Sequence, residues 1–430
     1  MLALLFGTRL SGIGLGVMGG LGLAFLVFVF GLKPTSPPIN VMFMITAVIA
    51  AASAVQAAGG LDYMVYWAEK LLRSHPKYLI ILSPIISFIF TIFAGTGYVA
   101  YSFLPVISEV AIDYKIRPER PMAISVIASQ HAISASPISA ATVALLGLIS
   151  PYGYSLGDIL KVSVPAIFIA VIIAAIFSLK QGKDLNENSE CLKKLTNNFI
   201  DKNKAKSIKS DLKSFNSKFS VAIFLTATFL VILYGSFPEL RPKVIVDGIF
   251  QSIKMPLIIE IIMLSASAIV LLVTKKKGDD AASGSVFSAG MQAVVAIFGV
   301  AWMGDTFIKG NLPEISNSLQ GVVTQMPWLF CIALFFMSVL LYSKAVTVVT
   351  VMPLGLALHI DPLLMIAFYP AVNGYFFLPN NPAIVTAMNF DRTGTTRVGK
   401  YLLNHSFMQP GLIVTVVSVL LSYLLINIYW

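Results

Sequence analysis

Apolar runs of about 20 residues recur along the whole chain, at 12–31, 40–58, 158–179, 219–237, 256–274, 286–308 and 409–429, with longer ones at 78–112, 121–150, 327–358 and 362–390. At about 1.5 Å per helical residue, such runs match a hydrocarbon core of about 30 Å. Backbone groups find no water at that depth, so the runs must fold as helices. The expected fold class is therefore all-α and polytopic, with the bilayer as its solvent. Only 12% of the 430 residues are charged, against about 25% in soluble domains, which excludes a water-soluble enzyme. Cys191 lies in a hydrophilic loop and Cys331 in an apolar run, so both read as free thiols. The start of the chain lacks a basic region ahead of its first apolar run and reads as part of the mature protein, not as a cleaved signal.

The net charge of +10 would suit nucleic acid only if the basic residues shared one soluble face. They lie between the apolar runs instead, where they report orientation. The segment 180–218 carries ten Lys and is expected on the cytoplasmic side, as a linker with no chemistry of its own. If 78–112 and 327–358 are each re-entrant hairpins, 23 of the 30 Lys and Arg fall on that side. If either crossed once, the two halves of the tally would conflict.

The hairpins share a plan. Ala94-Gly95-Thr96-Gly97-Tyr98 interrupts the first, with Pro105 11 residues after Ala94; Tyr342-Ser343-Lys344-Ala345 interrupts the second, with Pro353 11 residues after Tyr342. Each is followed by a long run broken by polar residues and proline, Ser134 to Ser139 in 121–150 and Leu378 to Pro382 in 362–390. The expected organisation is a first repeat over 1–179, the linker, and a second repeat over 219–430 of opposite orientation. Paired broken helices in inverted repeats point to a secondary transporter with a midplane site.

Ser136-Pro137 and Asn381-Pro382 each set a favoured capping residue before a proline, so each broken run is expected to resume there as a helix whose positive end faces the gap. With Gly95, Thr96, Gly97, Ser134, Ser139, Ser343 and Asn380, these ends describe a carboxylate cradle of neutral groups. Lys344 is the basic residue placed at depth, either as a direct carboxylate partner or as an amine reaching an aqueous cavity. His131 reads as a substrate or proton site, or as a hydrogen-bonded structural histidine. Asp305 could coordinate a coupling cation or pair near a span end, and Glu109 is expected to pair or cap. Gly394 to Lys400 nearly spells a phosphate-binding loop, but Tyr401 replaces the required hydroxyl residue and no strand precedes it. Thr395, Thr396 and Arg397 are read instead as a basic, hydroxyl-rich mouth that attracts anions.

Several of these motifs together resemble the anaerobic C4-dicarboxylate transporter (Dcu) family of bacterial inner membranes. They include Gly59-Gly60-Leu61-Asp62-Tyr63, Glu69-Lys70-Leu71-Leu72-Arg73, Phe93-Ala94-Gly95-Thr96-Gly97, Leu104-Pro105-Val106-Ile107, Ser134 to Ala140, Gly299 to Phe307, Leu341-Tyr342-Ser343 and Thr393 to Arg397. The resemblance covers nearly the whole chain. It implies uptake, exchange or efflux of fumarate, succinate, malate or aspartate during anaerobic respiration. By analogy it also implies a homodimer in which 78–180 and 327–429 slide as an elevator against a scaffold of 12–75 and 219–308. Lys344 and His131 depart from the family's pattern of uncharged residues, and fewer residues precede Arg9 than the family usually has.

The expected activity is antiport of one dicarboxylate for another, with a Na⁺- or H⁺-coupled symporter as the alternative and no cofactor, metal or nucleic acid. An intramembrane hydrolase using Ser343 and Lys344 is remote. Adjacent helical residues point about 100° apart, so the base would not reach its nucleophile.

Overall fold

The computed structural model describes residues 10, 13–97, 99–182, 215–246, 249–311, 326–341, 343–379, 381–399 and 403–430. Asn380, Tyr342 and most of the 180–218 linker, with Cys191, lie outside the described residues. Among the described residues, eight helical stretches are long and apolar enough to cross a membrane.

The first half runs α1 (Gly14–Ala24, continued as a π-helix through Val29), α2 (Ile39–Ala57), α3 (Gly60–Ser74), α4 (Leu79–Ala94), α5 (Val99–Asp113), α6 (Glu119–Ala132), a single 3₁₀ turn, α7 (Ala140–Ile149) and α8 (Leu156–Ser178). The second half runs α9 (Phe215–Ser236), a β-hairpin of β1 (Lys243–Val246) and β2 (Ile249–Ser252), α10 (Met255–Thr274), the short α11 (Gly278–Ala282) and α12 (Ser285–Gly310). It continues with α13 (Trp328–Leu341), α14 (Lys344–Ala357), α15 (Pro362–Phe368), a 3₁₀ stretch Tyr369–Phe376, α16 (Pro382–Phe390) and α17 (Met408–Tyr429). Helices α4 and α5, and again α13 and α14, pack against each other across their short interruptions.

Two elements depart from the apolar-run reading. Helix α3 lies between runs and is amphipathic, burying Met64, Ala68 and Leu72 while Trp67, Leu71 and Arg73 face outward. The antiparallel β1–β2 ladder, with Lys243 opposite Ser252, adds a strand pair to a fold expected to be all-α. Its residues lie between spans, and Lys243, Val244, Ile245, Phe250, Gln251 and Ser252 are all exposed.

Small residues set the closest helix contacts. Gly16 and Gly19 of α1 meet Gly299 of α12 backbone to backbone: a Cβ on Gly299 would lie 1.8 Å from the Gly16 carbonyl oxygen. Without a hydrophobic force between helices in lipid, such contacts supply association through dispersion. Helices α1, α2, α9, α10 and α12 pack mainly among themselves, as do α4, α6, α8, α13, α17 and the Tyr369–Phe376 stretch. Contacts of α7 and α12 with α14, and of α3 with α5, join the two groups.

Helix α8 gives the molecule its axis, with a length of about 35 Å. Ser155 caps its start through a capping box with Asp158. Just before it, Tyr154 packs on Trp430 at the end of α17. The Tyr154 phenol is raised above its ordinary value by partial burial and by the carboxylates of Asp361 and Asp158. Asp361 caps α15, directly after the second hairpin. Past the far end of α8, the carbonyls of Gln181 and Gly182 accept from Arg120 in α6, directly after the first hairpin. The bases of the two hairpins therefore lie at opposite ends of one helix.

Candidate substrate site

The first tip is shaped by glycine and held by neutral bonds. Gly95 closes α4 in the left-handed region, φ +70°, and donates to the Thr91 carbonyl. A side chain there would be strained, and its Cβ would lie 2.9 Å from Ile138 in the break between α6 and α7. The Ser136 hydroxyl donates to the Ile92 carbonyl at 2.6 Å, and the Thr91 and Ser129 hydroxyls bond at 2.7 Å. Gly97 leaves just enough room for Gln130, whose Nε2 would lie 2.3 Å from a Cβ on that residue. Thr96 is half-buried and faces the apolar side of the tip, toward Leu61 and Phe224.

The break in the first repeat corrects one expectation. Ser136 does not cap a helix: its hydroxyl donates to the Ile92 carbonyl and accepts from the Ile138 amide at 3.4 Å, but the chain makes only a turn there. The helix resumes three residues later, at Ala140, with Ser139 accepting from the Thr142 amide at 3.1 Å. Ser136-Pro137 had the right composition, but Ser139 is the hydroxyl that reaches the free amide one turn on. In the second repeat Asn381 does cap α16, accepting from the Ala383 amide at 3.0 Å ahead of Pro382.

The second tip brings charge. Ser343 caps α14 by accepting from the Val346 amide at 3.3 Å. Lys344 follows as the first helical residue. Its Nζ donates to Gln130 Oε1 at 2.9 Å and lies 4.5 Å from the centroid of the Tyr375 ring. Gln130 thus stands between the two tips, its amide nitrogen against Gly97 and its oxygen on Lys344. Among the described residues no carboxylate pairs with Lys344. The Tyr375 hydroxyl is buried without a partner.

His131 is fully buried beside this group. Its Nδ1 faces the Ile127 carbonyl at 3.0 Å and its Nε2 the Thr415 hydroxyl at 2.9 Å. A carbonyl only accepts, so Nδ1 carries the proton and Nε2 accepts from Thr415. Both ring nitrogens are therefore taken up by the protein.

A hydroxyl and amide cluster joins the two broken segments. Asn373 Nδ2 donates to Ser134 at 3.0 Å and to the Pro370 carbonyl at 3.0 Å, while its Oδ1 is buried without a partner. Ser139 donates to Thr142 at 2.9 Å, and Thr142 bonds the Tyr369 hydroxyl at 3.0 Å. Gln130, Tyr369, Asn373, Tyr375, Thr142 and Thr415 were not singled out in the sequence. The available signal was Asn373-Gly374 inside the 362–390 run, where they interrupt it earlier than Pro379 and Pro382 do.

The remaining candidates lie elsewhere. Asp305 of α12 pairs with Lys309 one turn on at 3.0 Å, partly exposed, and does not reach the tips. Thr395 and Thr396 do not line an open mouth. Both are buried, with the Thr395 hydroxyl and the Thr396 amide bonding Asp391 Oδ2 at 2.8 and 2.5 Å. The carboxylate organises the turn around itself, which draws the hydroxyls inward. Thr395 also accepts from the Glu119 amide, and Glu119 bonds Ser406 and Arg117, each at 2.6 Å. Arg397 is exposed and lines an open cavity of about 690 Å³ with Arg117, Asn404 and His405. Arg73 pairs at the surface with Glu109 at 3.0 Å, Glu69 at 2.9 Å and Asp113 at 3.4 Å.

Comparison with known proteins agrees with this architecture. The family described as anaerobic C4-dicarboxylate membrane transporter matches residues 1–430. The anaerobic C4-dicarboxylate transporter DcuB of Escherichia coli O6:H1 is 39% identical over 438 residues, covering 100% of this chain and 97% of its own. C4-dicarboxylate transporter DcuA of Escherichia coli K12 is 39% identical over 426 residues, with 99% and 97% covered. DcuA of Wolinella succinogenes is 37% identical over 422 residues, with 98% and 96% covered. A chain of membrane-crossing helices, with a half-buried lysine between two hairpin tips and matched along its full length by these carriers, is no enzyme: it belongs to the anaerobic C4-dicarboxylate membrane transporter family.

Proposed function

We propose that this protein exchanges one C4-dicarboxylate for another across the bacterial inner membrane, with the substrate bound where the two hairpin tips meet. The observation that carries the reading is Lys344, a cation at membrane depth held by one amide oxygen and one ring face. Helices α7 and α14 pack against each other, and a helix start carries roughly half a unit of positive charge. Together with Lys344 they sum to about two positive charges, the match for a dianion. A monocarboxylate would leave about one of these unbalanced. The Tyr375 hydroxyl, without a partner, is a ready donor to a carboxylate oxygen.

Hairpin bases at opposite ends of α8 support repeats of opposite orientation, and the hairpin spacing in the sequence supports the same. The separate packing of the two helix groups supports an elevator in which 78–180 and 327–429 move against 12–75 and 219–308. The apolar faces exposed on α1, α9 and α10 suit lipid and a second copy of the chain. The positive-inside distribution supports a cytoplasmic 180–218 segment. The resemblance favours fumarate or aspartate entering as succinate leaves, with malate as a further substrate. Asn373 Oδ1, unpartnered beside Ser134, favours the second reading, a Na⁺-coupled symporter that takes the ion at neutral oxygens.

Counterflow tests both. Purified protein is placed in liposomes preloaded with unlabelled succinate, and labelled fumarate entry is followed with and without Na⁺ or pH gradients. Antiport requires entry that depends on internal dicarboxylate and ignores both gradients. Entry into unloaded liposomes driven by a Na⁺ or H⁺ gradient would replace antiport by the symporter.

A further inference from the structure

We infer that Lys344 is the residue that makes transport obligatory exchange: its unmatched charge holds the empty carrier in place, and a substrate carboxylate supplies the match that lets it move. The inference rests on the dicarboxylate reading of this site and adds what the empty state does.

Lys344 touches a neutral amide and an aromatic face. An amide oxygen and a ring can orient an ammonium group, but neither cancels its charge. His131, next to Gln130 on the same helix, is committed to Ile127 and Thr415 and offers no negative charge. Among the described residues Tyr375 packs against the tip and Tyr369 lies in the same broken segment, where it already bonds Thr142. Among the described residues the salt-bridged carboxylates all pair with other cations, Glu69, Glu109 and Asp113 with Arg73, Glu119 with Arg117 and Asp305 with Lys309, and Asp391 is taken up within its turn. Reorienting the empty carrier would carry this unmatched cation through the low-dielectric middle of the bilayer, where ionisable groups are costly unless paired. The dicarboxylate removes that cost while bound.

Gln130 makes the idea separable from substrate binding. Replacing it by the isosteric Glu puts a carboxylate where Oε1 now accepts from Lys344 and pairs the lysine permanently. Replacing Lys344 by Gln removes the charge altogether. Both variants should release the empty carrier by opposite changes of charge.

The test compares labelled fumarate uptake into succinate-loaded and unloaded liposomes for the unaltered protein, Gln130→Glu and Lys344→Gln, each checked for monodispersity before reconstitution. In the unaltered protein, loaded liposomes should exceed unloaded ones by on the order of a hundredfold, the rate equivalent of one unmatched lysine at bilayer depth. In both variants the two should approach each other, with weaker substrate affinity as well. Unaltered protein that fills unloaded liposomes as fast as loaded ones would sink antiport itself. If it exchanges strictly and both variants do too, antiport stands and the role given to Lys344 falls. Transport lost in both variants while dicarboxylate still binds would overturn it as well, because the charge would then assist movement.

Discussion

The two hairpin tips occupy equivalent places in their repeats and do opposite kinds of work. The first is built from shape: Gly95 in the left-handed region, Gly97 against Gln130, and neutral hydrogen bonds from Ser136 and Thr91 into the neighbouring segment. The second is built from charge and a helix start: Ser343 capping α14 and Lys344 reaching across to Gln130. A site assembled from two repeats needs only one of them to carry the cation, while the other can be fixed firmly enough to aim its partner. The difference teaches that pseudo-symmetric scaffolds divide labour between positioning and recognition.

The sharpest way to break this division is to reverse the charge at the second tip. Lys344→Glu sets a like charge against the incoming carboxylates, which costs several kcal/mol at a desolvated site. Fumarate counterflow should fall by about a thousandfold or more, while the folded fraction changes little, because Lys344 is only half-buried and its lost bond is to one amide. Retention of substantial dicarboxylate transport in Lys344→Glu would move recognition away from this tip.

The first tip should fail in the other way. Gly95→Val puts a β-branched residue at a positive φ, costing about 1–2 kcal/mol, and drives its Cβ against Ile138, adding about 1–3 kcal/mol of overpacking. The midpoint of thermal unfolding in detergent should drop. Whatever protein survives should keep its preference for dicarboxylates over monocarboxylates. A changed preference with unchanged stability would mean that this tip touches substrate directly.

A smaller change compares the two helix starts. Ser343→Ala and Ser139→Ala each remove a cap worth about 1 kcal/mol. Ser343→Ala also frees the turn that holds Lys344, so it should raise the KM for fumarate by a few-fold, and by more than Ser139→Ala does, at similar losses of stability. Equal KM effects would mean that Lys344 adds nothing to what the two helix starts supply.

Much of this division could be read in the sequence, and where it could not the cause is physical. The hairpin tips were marked by Gly95, Gly97 and Lys344, because glycine and a lone cation stand out in apolar runs. The cap at Asn381-Pro382 was legible for the same reason, since its hydrogen bond is local. Ser136-Pro137 carried the identical signal and misled, because the Ser136 hydroxyl is tied to the Ile92 carbonyl of another segment and closes only a turn with the Ile138 amide, while the helix resumes behind Ser139. Gln130, Tyr375 and Asn373 were hidden because their roles are set by contacts between the halves, as from Gln130 to Lys344 and from Asn373 to Ser134. No spacing rule within a helix reports such pairs. Thr395 and Thr396 looked like a polar mouth, and the one residue that reverses the reading is Asp391, whose carboxylate turns them inward.

The weakest expected effect lies away from both tips and serves as their control. His405 sits at the far end of α8 with Arg117, Glu119 and Arg397 around the same cavity. Burial holds its imidazole below the ordinary range, with the Phe377 backbone acting in the opposite sense. The unfolded chain therefore takes up a proton near about pH 6.5, while the folded chain does so only at lower pH. The stability tied to neutral His405 is fully present above that unfolded value and is lost as the pH falls toward and through the folded one. Between pH 7 and pH 5 the unfolding midpoint of the unaltered protein should fall more than that of His405→Gln, with substrate preference the same in both. Parallel curves would mean that the proton is taken up elsewhere. A preference that shifts with pH in the unaltered protein but not in the variant would tie this end of α8 to recognition, which the separation between the tips and the hairpin bases argues against.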